Sequence, residues 1–175
     1  EKLKICYQYL FTFPFYLLEF FMLDNTDFHI LAILQKNARI TASEIAESVG
    51  LSVPAAAERI KKLSDTKIIE RFTAKLAEKE LGFDLCAFIA VVSSSSEHYE
   101  EIISNTITNP AVMECHSVTG EGSHLLKVRV HNSTELEKLL RDIQAWPGVI
   151  RTQTSVVMST YKEGFDLDIL SEESS

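Results

Sequence analysis

The sequence is poor in the residues that build metal centres and disulfide frameworks. Three of its 175 residues are cysteines, and Cys6, Cys86 and Cys115 lie far apart without a Cys-x-x-Cys pair. The five histidines do not stand at metal-ligand spacing from any cysteine. These absences argue against a zinc site and against a disulfide scaffold. We therefore expect a reducing, cytoplasmic compartment, and neither a metal nor a cofactor.

Positive charge is also scarce. The chain carries 17 lysines and arginines against 25 aspartates and glutamates, which gives a formal net charge of -8. This balance argues weakly against a nucleic-acid partner, because binding depends on where charge lies locally rather than on the total. A hydrophobic content of 46% and a charged content of 24% are typical of a folded chain with one sizeable core or two small ones.

An apolar, aromatic-rich stretch, EKLKICYQYLFTFPFYLLEFFM, opens the sequence. A membrane-spanning helix needs about 20 apolar residues, and here Pro14 and Glu19 interrupt a shorter run. No small-residue cleavage motif of a signal peptide follows. Because Met22 stands immediately before a helix start, we interpret residues 1–21 as a non-native or upstream-translated extension and expect no membrane partner. The alternative is a genuine anchor or a partner-binding extension.

Residues 22–76 have the pattern of a small helical domain. Apolar residues recur at helical spacing in three segments, and each segment has capping or stop signals. Ala57, Ile60 and Leu63 are expected to face inward from the third helix, and IIERFTAKL alternates enough to predict a two-stranded wing. The capping and stop signals are Asp24, Asp27, Thr41, Glu44, Gly50, Ser52 and Pro54.

After a linker at 77–82 the period of the pattern changes. In residues 83–160, four strand patterns and two helical patterns follow in the order βαββαβ, which is the ferredoxin-like split unit. Ser133 is expected to cap the second of these helices. A polar tail occupies residues 161–175. The fold class is therefore α+β, with an N-terminal winged helix-turn-helix domain and a C-terminal ferredoxin-like domain.

The second and third helices, joined at VGLS, have the layout of a helix-turn-helix motif. The second helix of such a motif enters the DNA major groove by its N-terminal end, so small or polar residues must lead it and basic side chains must reach phosphates. Few side chains here could read bases, which predicts loose sequence preference and reliance on DNA bendability. The alternative is an ordinary helical hairpin with a solvated basic face. The DNA-binding residues predicted to let the backbone approach base edges are Ser52, Val53, Pro54, Ala55 and Ala56, and the predicted phosphate contacts are Arg59, Lys61, Lys62, Lys67, Arg71 and Lys75.

Four segments of the chain resemble the leucine-responsive regulatory protein/AsnC family of bacterial and archaeal transcription regulators. They are LDNTDFHILAILQKNARITASEIAESVGLS, ERIKKL, LLKVRV and WPGVIRTQTSVVM, so the resemblance covers essentially residues 23–158. It implies a protein that binds double-stranded DNA, dimerises through its C-terminal domain and assembles further to a tetramer or an octamer. It also implies that the C-terminal domain senses an amino acid. Two recognition helices per dimer would read half-sites about 34–36 Å apart.

The chain departs from the family pattern in two turns. The turn after the third helix usually carries glycine, and here Lys67 occupies it. The hairpin TGEGSHLLK has Ser123 and His124 where relatives usually have Asp and Tyr. Since Ser123 cannot match the charge of an ammonium group, though Glu121 could, four readings stay open: a different, more polar effector, the usual amino acid, a lost site, or a plain β-hairpin. The expected effector-binding residues are Ser117, Gly120, Glu121, Gly122, Ser123, His124, Ser155 and Val156.

A transcription regulator that acts as a homo-oligomer, modulated by an amino acid or another small effector, explains these features best. An enzyme that uses His116 or His124 as nucleophile or base is disfavoured, because the sequence shows no second catalytic group at fixed spacing, no phosphate loop and no metal set. We therefore expect no enzymatic activity. A third alternative is a ligand-sensing module that no longer binds DNA, and the retained Arg59, Lys61 and Lys62 argue against it.

Overall fold

The computed structural model describes residues 23–120 and 122–170. The interpretation of residues 1–21 and the effector contact predicted for Glu121 lie outside the described residues. Within them the chain divides into two compact units, each with its own hydrophobic core. No helix in these two ranges is long and apolar enough to cross a membrane.

The first unit consists of residues 23–74 together with 164–170. It contains three helices, α1 (Asn25–Lys36), α2 (Ala42–Val49) and α3 (Val53–Asp65). Their apolar faces meet in one small core. The buried members of this core are Ile30, Leu34, Ile45, Ala46, Ala56 and Leu63.

The predicted helix boundaries of the first unit are confirmed. Asp24 and Asp27 form a reciprocal capping box at the start of α1, and Thr41 and Glu44 form another at the start of α2. Each box satisfies backbone N–H groups that have no partner within the helix. Gly50 ends α2 in the left-handed conformation, with a φ of 70°, which a residue without Cβ adopts at no steric cost.

Two of the three residues predicted to face inward from α3 do so, since Leu63 is buried in the core and Ile60 packs against it, but the third prediction, Ala57, is wrong. Ala57 is exposed, and Ala56 is fully buried in its place. The reason is helical geometry, since Ala56 and Leu63 are seven residues apart and so lie on one face of a helix with 3.6 residues per turn. Ala57 is rotated by about 100° from Ala56.

The predicted two-stranded wing does not form. Residues 66–77 contain no strand, and residues 70–77 are all exposed. Alternation of apolar and polar residues predicted the strands, but a strand needs a neighbour for its backbone hydrogen bonds. The described part of the first unit contains no strand that could pair with this segment. Phe72 and Leu76 consequently point their side chains into solvent.

The second unit, residues 75–163, has the predicted βαββαβ order. Its main elements are β1 (Leu85–Ser93), α4 (Tyr99–Thr108), β2 (Val112–Ser117), β3 (His124–Val130), α5 (Ser133–Gln144) and β4 (Val149–Val156). The strands form one sheet in the order β2-β3-β1-β4, in which all neighbours are antiparallel. The predicted ferredoxin-like domain and the α+β fold class are thereby confirmed.

The core of the second unit lies between one face of the sheet and helices α4 and α5. Alternate residues of β1 and β3 pack against apolar residues of the two helices. Asn132, rather than the predicted Ser133, caps α5, and its Oδ1 accepts from the N–H of Glu135 at 3.0 Å. Asn132 has the extended backbone that a cap requires, whereas Ser133 is already helical. Two short 3-10 helices, Glu78–Leu81 and Ser96–His98, precede β1 and α4.

Candidate nucleic-acid interface and effector loop

The first turn of α3 is an exposed surface of small side chains. Ser52 Oγ caps the helix by accepting from the N–H of Ala55 at 3.4 Å. Val53 and Pro54 are exposed beside it, and Ala55 is half-buried. Ala56 is 0% exposed within the core. Because a buried methyl group cannot reach a base edge, the DNA contact predicted for Ala56 is wrong.

The exposed face of α3 continues along the helix through Ala57, which the sequence had assigned to the core. Pro54, Ala57, Glu58 and Lys61 are spaced i, i+3, i+4 and i+7, and all four are exposed. Residues at this spacing share one side of a helix. The sequence signal for this position was its spacing, because Ala57 lies three residues after the exposed Pro54.

Arg59 makes contacts inside the unit. Its Nη1 lies 2.7 Å from Asp24 Oδ2 and 2.8 Å from Asp27 Oδ1, so it binds both carboxylates of the α1 capping box. The hydrogen bonds to Asp27 and to Asp24 raise the pKa of Arg59. Since two carboxylates offset its charge, Arg59 ties α3 to the start of α1. The structure therefore gives it a different contact from the predicted phosphate.

Lys61 and Lys62 are exposed on the last turns of α3. Lys61 Nζ lies 2.9 Å from Asp65 Oδ2 in a solvent-exposed i,i+4 pair, and this hydrogen bond raises the pKa of Lys61. Exposed pairs of this kind contribute little, because water and salt screen them. Lys61 can exchange this partner for a phosphate at small cost.

The remaining predicted phosphate contacts divide between the two units. Lys67 and Arg71 are exposed in the first unit. Lys67, in the turn where the family resemblance implied glycine, adopts a φ of 63°. Lys75 lies in the second unit and its Nζ pairs with Glu163 Oε2 at 3.2 Å. Lys75 therefore has a carboxylate partner where the sequence predicted a phosphate.

The hairpin between β2 and β3 is tied to the end of β1. Ser123 donates from its backbone N–H to Val91 O at 2.9 Å and from its Oγ to the same carbonyl at 3.1 Å. A Cβ on Gly122 would meet Val91 O at 3.3 Å and Ala90 Cβ at 3.4 Å. Gly122 therefore allows a close approach to β1. Gly120 is exposed, with a φ of 113°.

His124 lies beneath the hairpin rather than on its surface. The residue is 1% exposed, and its ring meets Tyr99 edge-on with centroids 4.8 Å apart. Its Nδ1 lies 3.0 Å from Ser123 Oγ, whereas its Nε2 has no hydrogen-bond partner among the described residues. Burial lowers the pKa of His124. Because alternate residues of β3 face the core, the His124 ring lies inside the second unit and reaches the hairpin through Ser123.

Ser117 and Ser155, predicted to flank one effector site, are not brought together within one chain. Ser117 pairs with His124 and so lies level with Val91, whereas Ser155 pairs with Phe88. Three strand spacings and three residues along the strands separate the two serines, which amounts to about 17 Å. Val156 follows Ser155 at the end of β4 and is exposed.

A network of charges on the second unit was missed by sequence reasoning. Glu163 Oε1 lies 2.7 Å from Lys127 Nζ, and the same ammonium lies 3.0 Å from Glu114 Oε1. Hydrogen bonds from Lys127 and Lys75 lower the pKa of Glu163 to about 2. No sequence signal could have found the network, because Glu163 lies 36 residues from Lys127 in a segment without a periodic pattern.

His116, one of the two histidines of the disfavoured enzyme alternative, lies on the surface beside an acidic residue. His116 Nε2 lies 3.2 Å from Glu114 Oε2, and His116 is exposed. Among residues 23–120 and 122–170, no group of three or more His, Cys, Asp or Glu side chains is placed to hold a metal ion.

Comparison with known proteins assigns the two units separately. A winged helix-turn-helix DNA-binding family matches residues 23–70, and the Lrp/AsnC ligand binding domain matches residues 85–167. Together they define a DNA-binding protein with a separate ligand-binding domain.

Individual relatives match nearly along their whole length. The HTH-type transcriptional regulator FL11 of Pyrococcus abyssi is 37% identical over 147 residues, which cover 84% of this chain and 97% of the relative. The HTH-type transcriptional regulator LrpB of Bacillus subtilis is 31% identical, covering 86% and 99%. A solved transcriptional regulator from Neisseria meningitidis in complex with L-Met is 29% identical, covers 86% of this chain and 99% of its own, and has a TM-score of 0.82. The chain therefore belongs to the Lrp/AsnC family of DNA-binding transcription regulators.

Proposed function

We propose that this regulator binds double-stranded DNA through α3 as a homo-oligomer, and that a small amino acid or a related polar effector modulates it. The observation that carries the DNA contact is the exposed surface of α3. Small side chains at Val53, Pro54 and Ala57 let the backbone approach base edges, and the exposed side chains of Lys61 and Lys62 can reach phosphates. Lys67 and Arg71 extend this basic surface beyond the helix. A DNA-binding regulator of this kind would work in the cytoplasm.

Assembly of several copies is supported by the second unit. Ser117 and Ser155 are too far apart for one small amino acid to touch both, so a shared site needs a second copy. Large apolar side chains exposed on this unit also favour burial against another protomer. They include Met113, Ile150, Val156 and Met158. A dimer, or the tetramer or octamer built from it, would present α3 repeatedly, so an acidic total charge would not oppose DNA binding.

An effector of the amino-acid class is supported by the Neisseria meningitidis relative, whose structure contains L-Met. In this chain the hairpin offers the glycines 120 and 122 and the hydroxyl of Ser123. Backbone N–H groups of such a turn suit a carboxylate. The hydroxyl of Ser123 carries no charge for an ammonium group, which favours a polar effector over a simple copy of the family's ligand.

The DNA contact is tested by fluorescence anisotropy with a fragment from upstream of the protein's own gene, over a series of salt concentrations. We expect tight binding that weakens steeply with salt. The double variant Lys61→Ala/Lys62→Ala should bind all sequences more weakly and flatten the logarithmic salt slope by up to about 1.8 per protomer, or about 0.9 per lost phosphate contact.

The matched control is Lys79→Ala/Lys138→Ala, which removes two exposed lysines of the second unit. This control should leave affinity and salt slope unchanged. Equal affinity of the Lys61→Ala/Lys62→Ala variant and the unaltered protein would refute docking through α3.

A further inference from the structure

The chain passes between its two units twice. It leaves the first unit after Ala74 and returns to it at Gly164. The match to the ligand-binding domain runs on to residue 167, yet residues 164–170 pack with the helix-turn-helix unit. The returning segment, residues 164–170, is here called the C-terminal strap.

One side chain of α1 holds the strap by its backbone. Gln35 Oε1 accepts from the N–H of Leu167 at 2.7 Å, and Gln35 Nε2 donates to Leu167 O at 3.1 Å. A single side-chain amide thus satisfies both backbone groups of one residue, as a neighbouring strand would. Such a contact recognises an extended backbone and does not depend on the side chain of the bound residue. The Leu167 side chain is accordingly 71% exposed.

The surroundings of this contact complement the strap. A cavity of about 150 Å³ lies where the strap meets α1. Lys36 of α1 and the acidic residues Asp166 and Asp168 of the strap line it together. Ile169, at the same place, is half-buried. Opposite charges and a partly buried apolar side chain thus accompany the backbone contact.

The strap is anchored at its other end by the charge network of the second unit. Glu163, the residue before the strap, accepts from Lys127 Nζ at 2.7 Å and from Lys75 Nζ at 3.2 Å. Lys75 is the first residue after the other passage of the chain between the units. The Lys75 ammonium group therefore links the two points at which the chain passes between the units. Only Gly164, Phe165 and Asp166 separate this anchor from the backbone contact at Leu167.

We infer that α1 carries a docking site for an extended peptide backbone, built on Gln35, and that its occupant is the chain's own C-terminal strap. Two hydrogen bonds gain little over water, so a free peptide would not stay bound to such a site. Attachment at Glu163 makes the docking intramolecular and supplies a high effective concentration. The strap is thereby a fourth element of the DNA-binding unit, and in the sequence it follows β4, the last strand of the second unit.

Hydrogen exchange of the full chain tests this inference without any DNA. The amide of Leu167 should exchange slowly in the unaltered protein, because Gln35 accepts from it. Gln35→Ala should speed this exchange by about tenfold or more, since an undocked strap leaves the amide open to water. The amides of Ile33 and Leu34 in α1 serve as an internal reference and should keep their protection.

Gln144→Ala is the matched control. Gln144 is a helical glutamine of α5 whose Nε2 donates to Thr152 Oγ1 at 2.9 Å, and its replacement should leave the Leu167 amide protected. Fast exchange of Leu167 in the unaltered protein, or exchange that Gln35→Ala does not change, would overturn the proposal. Protection that disappears on dilution would also overturn it, because the occupant would then be the strap of a second copy.

A second variant removes the other half of the contact. Leu167→Pro has no N–H to donate, and the Gln35 side-chain amide should then shift in the NMR spectrum toward its solvated position. Its failure to move would show that Gln35 does not hold the strap.

Discussion

At the scale of the residue, Lys67 shows how a departure from the family pattern is accommodated. It is the one non-glycine residue with a positive φ in residues 23–120 and 122–170. The turn still closes, with the N–H of Lys67 donating to Ser64 O at 3.1 Å and that of Ile69 to Leu63 O at 3.0 Å. A side chain in this conformation costs about 1–2 kcal/mol. The sequence revealed the missing glycine, and the structure shows that lysine takes over its backbone conformation.

Lys67→Gly should therefore raise the free energy of unfolding by about 0.5–1 kcal/mol, since relief of the backbone cost exceeds the added entropy of the unfolded chain. Urea denaturation measures the change. Lys62→Gly is the control with the opposite sign, because glycine within α3 should lower stability by about 1 kcal/mol. A loss of stability in Lys67→Gly would contradict the assigned conformation.

His124 predicts a dependence of stability on pH. Burial lowers the pKa of the folded residue, whereas the unfolded residue titrates near 6.5. The unfolded chain therefore binds more protons as the pH falls below about 6.5, and stability is lost at up to about 1.4 kcal/mol per pH unit. Tyr99 is the titratable side chain in contact with the ring.

His124→Phe should show a smaller loss of stability between pH 7.5 and 5.5 than the unaltered protein, as measured by urea denaturation at each pH. His116→Gln removes an exposed histidine instead and should retain the full loss. Identical pH profiles for the unaltered protein and His124→Phe would exclude His124 as the source.

At the scale of the element, the helix caps and the wing differed in how well the sequence predicted them. The caps of α1, α2 and α3 are local, because each bond joins residues about three positions apart. They could be read from the sequence directly. The wing could not, since a strand exists only where another strand accepts its hydrogen bonds. The burial of Ala56 rather than Ala57 depended on which face of α3 packs against α1 and α2. The sequence pattern did not distinguish between these two adjacent positions.

Arg59 links two elements, and its role can be separated from a phosphate contact. Arg59→Ala should lower the free energy of unfolding by about 1 kcal/mol, since Asp24 and Asp27 lose their shared partner. A double-mutant cycle with Asp27→Ala should give a coupling energy of about 0.5–1 kcal/mol. The salt slope of DNA binding should stay unchanged, unlike that of Lys61→Ala/Lys62→Ala. A slope flattened by about 0.9 would identify Arg59 as a phosphate ligand after all.

At the scale of the whole molecule, the proposed effector site and the proposed assembly depend on each other. The hairpin and β4 hold Ser117 and Ser155 about 17 Å apart in one protomer, so a site that uses both serines would need a second copy. Ligand that binds between copies would stabilise the assembled state by mass action. The response of this regulator to an effector is therefore expected to depend on protein concentration.

Ser123→Asp tests the hairpin as an effector site. The variant adds a carboxylate for an ammonium group, and L-Met should then raise its melting temperature more than that of the unaltered protein. Ser123→Ala is the matched control, because it removes the same bond to Val91 O without adding charge. Thermal-shift measurements with the twenty amino acids are the readout. The absence of any shift in Ser123→Asp would count against this site.

The sequence by itself determined the helix-turn-helix and βαββαβ patterns, the helix caps and the family, because each rests on local spacing or on residues in fixed order. Tertiary structure alone decided which residues of α3 are exposed, that Arg59 binds two carboxylates and that His124 is buried. It also decided that Gln35 holds Leu167, 132 residues away. These are contacts between distant parts of the chain, and their free energy depends on what lies opposite each side chain. No pattern along the sequence carries that information.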